Sequence, residues 1–148
     1  MPRMDSNAAA LAPVASGSRH TGEDLVLVVS SLLAVLLFSL HVADDIVRGY
    51  EPGTLWNASA TLVFSTWLYA TLILVGRRSG YWILLVASLM GSGIPIVHMK
   101  GAGVGGKIAA SDGGFFFIWT LLAFGTTSIL AMVLSARGLW RLRRDRPR

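Results

Sequence analysis

Five residues of this chain have the types and spacing to do chemistry. His41, Asp44, Asp45 and Arg48 fall within about two helical turns of one another, where a long apolar segment runs out. His98 closes another apolar segment, in the stretch Ile94-Pro95-Ile96-Val97-His98. On a helix, positions three and four apart share a face, so the His41 imidazole can lie beneath either Asp44 or Asp45. Such a pair serves as an oriented base, a proton relay or half of a metal site. Together these five residues are the candidate ligand-binding group. Among them His41, Asp45 and His98 have the ligand types for zinc or another divalent metal. A plainer reading stands beside this one. Asp44 would pair with Arg48 at i+4, Asp45 would be solvated, and His41 would reach for lipid headgroups.

The elements that must position these residues are apolar. Of 148 residues, 53% are hydrophobic and only 14% charged, against about 25% charged in soluble domains. Four uncharged stretches of spanning length occur, at about 25–43, 55–75, 81–99 and 115–135. About 20 apolar residues in helical form match a bilayer's hydrocarbon core. The expected fold is an all-α integral membrane protein, a four-transmembrane-helix bundle over residues 21–137. A mobile segment, 1–20, would precede it, and a basic tail, 138–148, would follow. Residues 8–15 lack the apolar core of a signal peptide, so none is expected there. Thr21 with Asp24 has the spacing of a capping box. Ser79 would cap the third helix, and Ser111 or Asp112 the fourth. Ala87 with Gly91, and Ser88 with Ser92, are small-residue pairs that let helices approach closely.

Charge distribution gives the expected orientation. With four spans, Arg3, Arg19, Arg77, Arg78 and the six arginines from Arg137 to Arg148 share one side, ten in all. Arg48, Lys100 and Lys107 lie on the other. By the positive-inside rule both termini are cytoplasmic and the His/Asp cluster faces outward. Arginine use over lysine, with abundant Ala, Gly and Leu, is that of a GC-rich bacterial genome, so the expected location is a bacterial inner membrane. No charged residue lies in the middle of a span, which argues against a transporter built on a membrane-embedded carboxylate. The absence of cysteine removes disulfides and thiolate metal sites.

The expected partners are the lipid bilayer, with anionic headgroups at the arginine-rich tail, and a further copy or another membrane protein. No nucleic acid is expected, because the basic residues bracket apolar segments. No nucleotide is expected either. Gly101-Ala102-Gly103-Val104-Gly105-Gly106 matches G-x-G-x-x-G, but it follows a membrane helix instead of a strand.

The stretch Leu40-His41-Val42-Ala43-Asp44-Asp45 resembles a motif of emopamil-binding-type sterol isomerases, in which a histidine and carboxylates act inside a helical bundle. The likeness covers six residues of 148, and no residue role is carried over from it. Three functional readings follow from the sequence. The first is a polar site at the outward face that binds a small ligand, a cation or a partner. The second is an accessory membrane protein whose outer charges only anchor and cap helices. The third is an enzyme using the His/Asp constellation on an amphiphilic substrate.

Overall fold

The computed structural model describes residues 17–49, 58–100 and 112–145. These form α1 (Gly17–Val47), α2 (Ala58–Ile73), α3 (Arg78–Lys100) and α4 (Gly114–Arg144). Of the expected mobile segment 1–20, residues 1–16 lie outside the described residues, as do the glycine-rich loop and Ser111, while residues 17–20 are not a mobile lead-in but the first turn of α1. Three stretches, Gly22–Val47, Arg78–His98 and Gly114–Arg144, are long and apolar enough to cross a membrane. Where a span was expected at 55–75, the structure has the 16-residue apolar α2, about 24 Å long and shorter than those three.

The core holds large apolar side chains such as Leu27, Trp67, Leu84 and Phe124, but the exterior is unlike that of a water-soluble bundle. Large apolar side chains such as Leu25, Leu62, Leu72, Met90 and Val133 lie on the outside, while Ser31, Thr71, Ser88, Thr120, Ser128 and Ser135 are buried. Lipid is the solvent that favours this pattern. α4 packs mainly on α3 and α1, and α2 leans on α1 and α3. Phe38 stacks on Phe124 at 4.8 Å between ring centroids, joining α1 to α4.

Inside the bundle, backbone groups are satisfied within each helix, so side-chain hydrogen bonds do the cross-linking. Trp67 Nε1–H donates to Ser31 Oγ at 2.6 Å, and Thr71 Oγ1 donates to the Trp67 carbonyl at 2.8 Å. The Thr71 proton is then used, so Ser31 donates to Thr71 across their 2.8 Å contact. This directed chain holds α2 on α1. Between α3 and α4 the means is close approach. Gly91 faces Phe124 and Ser128, and the Pro95 ring rests on Gly125. Ser92 bonds back to the Leu89 carbonyl instead of packing across helices.

Several expected caps are replaced. α1 begins at Gly17, so Thr21 lies inside it. Asp24 accepts from Tyr81 Oη at 2.6 Å and pairs with Arg141 at 3.1 Å. Glu23 pairs with Arg137 and Arg141 at 3.1 and 2.8 Å. Three helices are thereby joined at this arginine-rich end. α3 starts at Arg78, with the Arg77 carbonyl accepting from Tyr81 N–H, so Ser79 is already inside the first turn. Gly113, at φ +79°, takes the N-cap position of α4 with no side-chain cap. The residues 138–144 expected in the tail continue α4, so Arg141, Arg143 and Arg144 occupy its last turn. Cations there complement the helix dipole.

Candidate functional site

The last two turns of α1 present His41 and Asp45 on the face turned to the bundle. Their spacing of four brings His41 Nε2 to 3.7 Å from Asp45 Oδ2. α3 delivers His98 from its own last turn, with Nε2 4.0 Å from the same Asp45 oxygen. The two imidazoles meet edge to face at 5.0 Å. Phe117, one turn into α4, walls the group at 4.7 Å from His41 and 6.0 Å from His98. One ligand atom from each of His41, Asp45 and His98 can be chosen so that all lie within 4.8 Å of one another.

Neighbouring Asp44 does something else. Its Oδ2 accepts from Arg48 Nε at 2.8 Å, as the plainer reading expected. The Arg48 guanidinium reaches over Gly113 at the start of α4, where a Cβ would come within 2.6 Å of Nη2. Of the five candidate residues, the structure therefore gathers His41, Asp45 and His98, and sets Asp44 with Arg48 beside them. The plainer reading does not describe the rest, since Asp45 and His41 are both buried.

Comparison with family models, curated proteins and solved structures gives no match to this chain. The chemistry of the group rests on its own geometry.

His98 Nδ1 lies 3.0 Å from the Ile94 carbonyl, which only accepts, so Nδ1 carries the proton. The lone pair of the neutral ring is then on Nε2, the atom facing Asp45. A histidine oriented through its far nitrogen in this way is a typical metal-ligand arrangement. Pro95 lacks an N–H and sits one turn before the end of α3. The carbonyl that Pro95 leaves without a helical donor is that of Gly91, one turn back, and the ring uses Ile94 instead.

His41 is 1% exposed, and neither ring nitrogen has a hydrogen-bond partner among the described residues. The 3.7 Å gap to Asp45 is too long for a hydrogen bond. A buried imidazole without partners is costly, and a bound ion or proton-mediated contact removes that cost. Ligand atoms about 2.0–2.1 Å from a tetrahedral ion lie about 3.3 Å apart, so the two contacts to Asp45, at 3.7 and 4.0 Å, close by about half an ångström and the widest pair, at up to 4.8 Å, by about 1.5 Å when an ion binds. The donor set fits such an ion.

Phe117 escaped sequence reasoning, because a phenylalanine in an apolar run looks like every other. Its depth was the available signal, since it lies as close to the start of α4 as His98 does to the end of α3.

Proposed function

We propose that this chain is a small multi-pass protein of a bacterial cytoplasmic membrane that holds a divalent transition-metal ion at its outward face. His41, Asp45 and His98 are its ligands, and α2 is a short fourth span. The observation that carries this reading is His41, buried with both nitrogens lacking a hydrogen-bond partner among the described residues, beside a carboxylate and a second imidazole from another helix. Two neutral imidazoles and one carboxylate suit zinc, cobalt, iron or nickel better than magnesium or calcium, which prefer oxygen. Three protein ligands leave a position for water or a small ligand.

Cobalt(II) titration of the purified full chain in detergent tests this. A visible ligand-field spectrum should develop to one equivalent, and zinc should bleach it. His41→Ala and His98→Ala should each abolish the signal while keeping helicity. Absence of any saturable spectral change in the parent protein would remove the metal reading.

The outward orientation is supported by the ten-to-three arginine and lysine split. Single cysteines at Ser79 and Asp112, in this cysteine-free chain, report on it. A membrane-impermeant maleimide applied to intact cells should label position 112 and spare position 79. The reverse pattern would place the metal site in the cytoplasm.

A further inference from the structure

At the opposite end of the bundle, the arginines divide into two groups. Arg137 and Arg141 are compensated by Glu23 and Asp24. Arg78 and Arg143 have no carboxylate partner among the described residues, and both line a single cavity of about 340 Å³ between α3 and α4. Its other walls include Trp82, Trp140, Leu85 and Leu139. The order of these residues along the two helices matters. Moving toward the bundle centre, α3 presents Arg78, then Trp82, then Leu85. α4, read in reverse, presents Arg143, then Trp140, then Leu139. Cation, amphipathic ring and aliphatic surface therefore follow one another in the same order on both walls.

We propose that this cavity binds one anionic glycerophospholipid, with its phosphate between Arg78 and Arg143 and an acyl chain along Leu85 and Leu139. The gradient matches the molecule. Guanidinium groups pair with phosphate through charge-assisted hydrogen bonds. Tryptophan favours the headgroup level, with its ring half in the apolar layer, and Trp82 and Trp140 are about half exposed there. Basic pockets between helices at a membrane face are suited to lipid headgroups. A free phosphate would have no use for the apolar floor. Arg144 stays outside, stacked on the Trp140 ring at 4.4 Å, and Arg77 precedes α3 without lining the cavity. This inference is independent of the metal site.

Native mass spectrometry of the full chain in detergent, with phosphatidylglycerol and phosphatidylcholine of equal chain length, tests it. The parent protein should retain one phosphatidylglycerol in preference to phosphatidylcholine, and inorganic phosphate should not displace it. Each arginine at an anionic surface is worth about fivefold in binding, so Arg78→Gln with Arg143→Gln should weaken retention about thirtyfold. Arg77→Gln with Arg144→Gln removes the same charge outside the cavity and should cost less than about fivefold. Arg78→Lys with Arg143→Lys should keep most of the binding and controls for folding. Equal losses in the two glutamine pairs would overturn the site in favour of diffuse attraction. So would equal retention of both lipids, and displacement by inorganic phosphate would reassign the cavity to a free anion.

Discussion

Asp45→Asn should lower affinity for a divalent metal about a hundredfold or more, while Asp44→Asn should leave it within about threefold. The two residues are adjacent and chemically identical, so only their placement separates the outcomes. Asp45 shares its Oδ2 between the two histidines, at 3.7 and 4.0 Å. Asparagine keeps its size and removes the anionic ligand that offsets the ion's charge. Even outer-shell partners of metal ligands cost 10- to 100-fold when removed, and a ligand costs at least as much. Asp44 is held by Arg48 at 2.8 Å, and its loss removes that ion pair without touching the donor set. Competition against a chromophoric chelator in detergent measures both variants. Equal losses would mean that the metal recognises net charge at this end of the bundle and not the triad.

Gly80→Ala should destabilise the protein, while Gly22→Ala should not. A Cβ at Gly80 would overlap the Leu74 carbonyl, and that oxygen already accepts from Arg77 N–H at 3.0 Å in the α2–α3 turn. A backbone carbonyl cannot rotate aside as a side chain can, so the turn itself must open. Overpacking costs about 1–3 kcal/mol in general, and this site belongs at the upper end. At Gly22, a helical position in α1, nothing lies within 4 Å of the added atom. Alanine there gains about 0.4–1 kcal/mol by restricting the unfolded chain. Thermal unfolding in one detergent should therefore move the two midpoints in opposite directions. A Gly80→Ala midpoint at or above that of the parent would show that the turn is not tightly closed.

The helical class and the approximate extents of the apolar segments were legible in the sequence, because both are local. A helix in lipid must satisfy its own backbone and present about 20 uncharged residues, and a run of letters shows that directly. The chemistry at the end of α1 was legible in part. Helical spacing placed His41 under either carboxylate, and the boundary placed His98 at the same depth. Asp45 could be named with the two histidines as a metal-type set, but spacing alone did not exclude Asp44 from that place. Successive residues on a helix step round by about 100°, so one of Asp44 and Asp45 must turn inward and the other aside. The positions of α3 and α4 decide which.

The caps show the same limit from the other side. Thr21 and Asp24 have capping-box spacing, yet Asp24 is engaged by Tyr81 and Arg141, which are 57 and 117 positions away. Nothing near Asp24 in the chain announces either partner. Arg78 and Arg143, without a carboxylate partner among the described residues, are likewise distinguished from their neighbours Arg77 and Arg144 by lining one cavity between α3 and α4. Apolar length and helical period are properties of consecutive residues, and the sequence by itself determined what depends on them. Partners for charges and room for a Cβ depend on which helix faces which, and that was decided only when the four helices packed.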